Sequence, residues 1–280
     1  MHDPYLMREE TIVSFSGGRT SGYMLRHILD AHGGSLPEHV KVCFANTGKE
    51  REETLDFVQE CATRWNVAMV WLEYDPTEDT KVRVCGHNSA SRNGEPFAAV
   101  IDARSFLPNP VARFCTTEMK IRTIKRYAMQ HLGWEHWQNA VGLRADEPSR
   151  VAKARHQRER WDTITPLATA GVTKQDVAAF WRAQPFDLRL SNVNGKTPAG
   201  NCDLCFLKGA SLVAGLIREN PASADWWIEQ EQRLVGKTTT YAAARFRSDR
   251  PSYAEIKHAV SMQTDAFHEQ ESIQECYCHD

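Results

Sequence analysis

No stretch of this 280-residue chain approaches the roughly 20 consecutive apolar residues that a membrane-spanning helix needs, so no membrane partner is expected. Met1–Glu10 carries acids and no apolar segment, so no secretory signal is expected and a cytoplasmic address follows by default. An excess of charge of either sign is also missing. The formal net charge is −2, and overall charge announces neither a nucleic-acid nor a membrane partner. Internal repeats, low-complexity tracts and the G-x-x-x-x-G-K spacing of a Walker A loop are absent as well.

What is there is an ordinary globular composition, 41% hydrophobic and 25% charged, in a chain long enough to bury a core without staples. Eight cysteines in a reducing compartment argue against a disulfide framework and for a metal or redox site. Cys43 falls in an expected strand and Cys61 in an expected helix, where both read as core. Cys115, the pair Cys202/Cys205 and the pair Cys276/Cys278 are the informative ones. Local charge is uneven: Arg113 to Arg126 and Arg144 to Arg160 are basic stretches, suited to a solvated face or to gripping phosphates.

The first half alternates strand and helix. Thr11–Phe15, Val40–Ala45 and Val67–Leu72 read as strands, Tyr23–Leu29 and Glu52–Trp65 as helices, which predicts parallel strands with crossover helices. Residues 74–110 read as an insertion or active-site loop, Thr117–His131 as a helix and Trp137–Leu143 as a strand ending at Arg144. Helices are expected over Thr173–Arg182, opened by a Thr173/Asp176 capping box, and over Ser211–Glu219 and Ala224–Leu234. The predicted organisation is a doubly wound α/β nucleotide domain over residues 1–165 and a mostly helical region over residues 166–280.

Ser14-Phe15-Ser16-Gly17-Gly18-Arg19-Thr20-Ser21 joins the first strand to the first helix. Free backbone N–H groups and the helix dipole favour an anion there, and paired glycines let the backbone approach phosphate oxygens closely. Ser16, Thr20 and Ser21 add hydroxyl donors.

This loop (SFSGGRTS) resembles the PP-loop, SGG-x-x-S, of the ATP pyrophosphatases and the phosphoadenosine-phosphosulfate (PAPS) reductase family. Four more segments resemble that family in order: Phe44–Glu53 (FANTGKEREE), Arg113–Lys120 (RFCTTEMK), Gly142–Arg150 (GLRADEPSR) and Asn201–Gly209 (NCDLCFLKG). Together they span roughly residues 11 to 210. The resemblance implies that Ser14, Ser16, Gly17, Gly18, Arg19, Thr20 and Ser21 form the phosphate loop for an adenine nucleotide such as ATP. It also implies that Thr47 and Gly48 border the nucleotide and that Arg144 reaches a phosphate or sulfate. Arg19-Thr20 departs from the common Lys-Asp, which puts the metal or phosphate contacts of that turn in question. Neutralising a pyrophosphate leaving group would engage the loop amides, Arg144 and Mg2+.

Cys202-x-x-Cys205 alone is compatible with zinc, a redox pair or half of an iron–sulfur site. With Cys115 far upstream it resembles the cluster-bearing sulfonucleotide reductases, less one member of their Cys-Cys pair. Three thiolates holding a 4Fe–4S cluster would leave one iron open; Cys85, His87 or a tail cysteine are candidates for the fourth position, and zinc is the other metal. The tail Glu275-Cys276-Tyr277-Cys278-His279 resembles the terminal E-C-G-L-H of PAPS and APS reductases, which makes Cys276 a candidate nucleophile.

Three functions follow. The first is ATP-dependent sulfur transfer through an adenylate, to an acceptor in tRNA, DNA or a small molecule, with a sulfur-donor protein as partner. The second is sulfonucleotide reduction through Cys276, with a thioredoxin-like reductant. The third is a nucleotide- or nucleic-acid-binding module without catalysis.

Overall fold

The computed structural model describes residues 3–156, 159–236 and 244–262. Six strands form one sheet: β1 Thr11–Ser14, β2 Val40–Ala45, β3 Met69–Tyr74, β4 Val82–Cys85, β5 Trp137–Ala140 and β6 Trp161–Ile164. Their order is β4-β3-β2-β1-β5-β6, parallel throughout except for the antiparallel β3–β4 pair. Thr11 pairs with Val40 on one side and Gln138 on the other, so β1 sits at the centre. Strand order reverses between β1 and β5, and the crevice beyond the carboxyl ends of such strands is where open α/β sheets bind ligands.

Alternation along the strands covers both faces. Val13, Val42 and Phe44 pack with Met24, Leu25 and Ile28 of α1 (Arg19–Ala31) and Leu55 and Val58 of α2 (Glu52–Arg64). Ile12, Cys43 and Leu72 point the other way, against Tyr127 and Ala128 of α4 (Thr123–Gln130). The expected doubly wound α/β architecture is therefore what the chain forms.

Several elements differ from the sequence reading. Residues 74–110 are not simply a loop: they carry the edge strand β4 and the helix α3 (Glu95–Arg104). β4 is four residues long and only partly buried, and on α3 the apolar Ala98 and Ala99 blur the face made by Pro96, Phe97, Val100 and Ile101. The expected helix after Cys115 begins as a π-helical segment, Thr116–Arg122, before α4. The extra residue per turn frees a carbonyl, and the Thr123 hydroxyl donates to Glu118 O at 2.9 Å. β5 ends at Ala140 rather than Leu143, α5 (Pro148–Arg155) lies within the basic stretch and β6 follows directly after it.

Beyond β6 come α6 (Pro166–Thr169), α7 (Lys174–Ala183), α8 (Ala210–Glu219), α9 (Asp225–Leu234) and α10 (Tyr253–Ser261). The capping box opens α7 as expected, with the Thr173 amide and hydroxyl donating to Asp176 at 2.8 and 2.7 Å. One hydrophobic cluster runs from Val13 and Phe57 to Trp181, Phe206 and Trp227 across the soft boundary near Thr165. Among the described residues, no helix is long and apolar enough to cross a membrane.

Candidate functional site: a phosphate pocket beside a thiol cavity

The glycine turn opens into a pocket. Gly17 takes φ +81, and a Cβ there would stand 2.6 Å from Thr54 Cγ2, so this position requires glycine. Gly18 is the N-cap of α1, with no side chain bonded to the first turn, which leaves the helix N-terminus to whatever enters the pocket. Ser21 is buried and ties the turn together: its hydroxyl accepts from Ser16 N at 3.2 Å and donates to Gly18 O at 2.9 Å. Ser16, Gly17, Gly18, Arg19 and Thr20 line the pocket. Ser14 does not; its hydroxyl donates to Asn139 Oδ1 at 2.8 Å and faces a second, apolar cavity shared with Trp137 and Trp161.

Arg144 lies four residues past β5, against the turn. Its guanidinium donates to Thr20 Oγ1 at 3.1 Å while Asp146 (2.9 Å) and Glu147 (3.4 Å) hold it from behind. Arg150, Lys174 and Lys196 line the same pocket. Glu147 is the one carboxylate lining it among the described residues, and Arg144 and Arg150 both pair with it. So cationic a wall suits a polyanion.

Arg19 has a different job from the one its place in the loop suggested. Nε and an Nη bind Asp187, both at 2.7 Å, and the guanidinium also donates to Leu188 O (2.6 Å), Leu190 O (2.8 Å) and Thr197 Oγ1 (3.2 Å). These bonds staple residues 187–197 over the pocket as its outer wall, with Leu188, Asn192 and Thr197 facing inward. Trp181 helps from α7, donating to Arg19 O at 2.7 Å and lying where a Cβ on Gly22 would come within 2.6 Å. The guanidinium is thus spent on the wall, which accounts physically for an arginine where the related loops carry lysine.

The three predicted cluster cysteines come together. Cys115 enters from the start of the π-helical segment, and Cys202 and Cys205 from the turn before α8. All three line one small cavity with Thr47, Lys120 and Asn201. Cys205 and Asn201 line the phosphate pocket too, so the two spaces adjoin. Thr47, expected beside the nucleotide, stands instead at the thiols, its Oγ1 3.4 Å from Cys202 Sγ and donating to Glu50 Oε2 at 2.7 Å. Gly48 takes φ +77 and packs against Gly94, whose amide donates to Gly48 O at 2.8 Å; it lines neither space.

The C-x-x-C turn is firmly held. Lys208 is buried, which pulls its ammonium below the usual lysine range, and it donates to Gly200 O (2.8 Å), Cys202 O (2.6 Å) and Asp203 O (3.1 Å). Asp203 pairs with Lys49 at 3.1 Å and accepts from Trp227 Nε1 at 2.9 Å. Sequence reasoning missed Lys208, Lys49 and Asp203; only Lys208, three residues after Cys205, gave any local signal.

The set of donors can be tested against the candidate metals. Tetrahedral zinc needs its sulfurs within about 4 Å of one another, given Zn–S of about 2.3 Å. Among the described residues, the only trio with all ligand atoms within 4.8 Å is Glu52, Asp56 and His87. The three cysteines share a cavity, but their sulfurs do not all lie within that distance of one another. Cys85 and His87 do not line that cavity: Cys85 is on β4, where burial and then Glu73 push its thiol up to about 12, and His87 Nε2 contacts Asp56 at 3.0 Å. Glu52 and Asp56 are engaged by Arg92 and Arg189, each at 2.8 Å. Cys43 and Cys61 are core, as expected. Cys276, Cys278 and the tail motif lie outside the described residues.

The chain is 28% identical over 210 residues to the uncharacterized nin region protein ORF290 of Escherichia phage lambda, covering 72% of this chain and 67% of that protein. A crystal structure of phosphoadenylyl-sulfate (PAPS) reductase from Candida auris, in its phosphate complex, matches with a TM-score of 0.40 at 17% identity, over 67% of this chain and 81% of that one. The family model for the phosphoadenosine phosphosulfate reductase domain matches residues 10–188, which takes in the glycine turn, Cys115 and Arg144 and stops short of the C-x-x-C turn. With that match covering well over half its length, the chain belongs to the phosphoadenosine phosphosulfate reductase family.

Proposed function

We propose that this protein activates an acceptor oxygen with ATP and replaces that oxygen with sulfur. Family membership supports nucleotide-linked sulfur chemistry as the class of reaction. The observation that carries the finer reading is the adjacency of the two spaces, with Cys205 lining both the phosphate pocket and the three-thiol cavity.

In this reading the amides at the start of α1 and the hydroxyls of Ser16 and Thr20 hold the polyphosphate, and Arg144 and Lys174 stabilise charge on the departing pyrophosphate. The acceptor oxygen attacks the α-phosphorus, the bond to the β-phosphate breaks, and pyrophosphate leaves. A sulfur nucleophile then attacks the activated centre, and AMP departs with the oxygen. Cys115, Cys202 and Cys205 would hold a 4Fe–4S cluster, which when bound supplies a sulfur-delivering centre with one iron not ligated by these three thiolates. Glu147, the one carboxylate lining the pocket among the described residues, is engaged by Arg144 and Arg150, and the cations around it would share with a phosphate-borne Mg2+ in neutralising the leaving group.

Pyrophosphate release from ATP, measured with tRNA, DNA and small acceptors, tests the reaction; no release with any of them and no ATP binding would end this reading. Anaerobic purification with iron and sulfide analysis tests the metal. The expected result is a coloured protein that loses its iron in Cys115→Ala and Cys202→Ala. A colourless wild type, together with loss of sulfonucleotide turnover in Cys276→Ser, would shift the function to sulfonucleotide reduction.

A further inference from the structure

Beside the nucleotide pocket runs a wider cleft that the reaction above does not use. Arg104, Arg113, Arg150 and Lys153 line it, interleaved with Phe106 and Val111, and no carboxylate lines it among the described residues. Behind it, the buried carboxylate of Glu118 pairs with Arg104, Arg122 and Arg126, so three guanidiniums share one negative charge and the wall stays net positive. Val111 is 96% exposed on the lip, and Phe106, partly buried, stands edge-on to Phe114 with Arg104 over the Phe114 ring.

Two residues connect this cleft to the chemistry. Arg150 lines both the cleft and the phosphate pocket; one Nη pairs with Glu147 and the other is buried without a hydrogen-bond partner. Thr116 lines both the cleft and the thiol cavity. Arg150 and Thr116 thus set the cleft next to both spaces.

The geometry points to a single-stranded nucleic acid as the sulfur acceptor, its phosphates on Arg104, Arg113 and Lys153 and a base against Phe106. This rests on the sulfur-transfer reading for its consequence, though not for the binding itself. A basic groove with interleaved aromatic and apolar side chains is the pattern that binds single strands, cations tracking the backbone and rings stacking on bases. An acidic polypeptide would use the cations and leave Phe106 and Val111 idle.

The experiment measures anisotropy of a short labelled single strand, as DNA and as RNA, alongside ATP affinity on the same preparations of wild type, Phe106→Ala and Lys153→Glu. Binding of one or both strands is expected, and the better-bound sugar identifies the acceptor. Phe106→Ala should weaken binding about tenfold. Lys153→Glu, at an exposed position, should flatten the slope of log K against log salt by about 0.7. ATP affinity should stay at the wild-type value in both variants. Strand binding unchanged by Lys153→Glu, or poly-glutamate competing as well as the oligonucleotide, would overturn the inference. Strand binding that responds to the variants in a protein that fails to bind ATP would sustain the cleft and remove the proposed reaction instead.

Discussion

Arg144 and Arg19 are both arginines beside one pocket, yet their partners predict opposite phenotypes. Arg144 touches Thr20 Oγ1 and faces the ligand space, so Arg144→Ala should weaken ATP binding by about 1.5–3 kcal/mol, roughly ten- to a hundredfold by calorimetric titration. Arg19→Ala removes the bonds to Asp187, Leu188 O and Leu190 O, so its main effect should be a stability loss of about 2 kcal/mol in denaturant unfolding. Equal ATP affinities for wild type and Arg144→Ala would remove Arg144 from the site. The cysteines divide in the same way. Burial pushes the Cys43 thiol up to about 12 and raises that of Cys61 as well, so at pH 8 almost none of either is thiolate. Alkylation of the folded chain followed by mass spectrometry should leave both unmodified, and labelling of Cys43 at the rate of a free thiol would contradict its burial.

At the scale of elements, the C-x-x-C turn depends on a buried cation. Lys208→Met keeps the bulk of the side chain but removes three hydrogen bonds to carbonyls, of which Cys202 O still accepts from Cys205 N. At about 1 kcal/mol for each bond lost, the variant should be about 3 kcal/mol less stable by urea unfolding. A cost under about 0.5 kcal/mol would mean that the turn is held by Lys49 and Trp227 instead. The elements that were legible beforehand were those with strong local patterns: β1, β2, α2 and the Thr173 capping box. β4 and β6 are four-residue edge strands with one fully buried position each, and the basic helix α5 buries only Val151 and Ala154, so none of them stands out from loop.

For the molecule as a whole, the decisive feature is a core shared between the sheet and the helical region. Phe57 and Trp65 both pack against Trp181 and Phe186 in edge-on or tilted ring contacts, with Trp181 reaching back to Arg19 O. Thermal unfolding followed by calorimetry should therefore show one cooperative transition. Two separable transitions, dividing the chain near Thr165, would establish independent domains. Trp181→Ala should cost about 3–5 kcal/mol and lower ATP affinity with it, since the pocket wall leans on that ring.

The sequence by itself determined the alternation of strands and helices, the glycine turn after β1 and the residue types around it. Those depend on side-chain period and backbone freedom over a few neighbouring residues. Only the tertiary structure decided that Cys115, Cys202 and Cys205 line one cavity, that Arg19 serves the pocket wall and that a basic cleft shares Arg150 with that pocket. Each of these needs segments tens of residues apart to be brought together by the β1–β5 pairing and by the packing of residues 187–205 over α1. No local periodicity encodes such a meeting, because its energy comes from burial and hydrogen bonds that exist only once the sheet has formed.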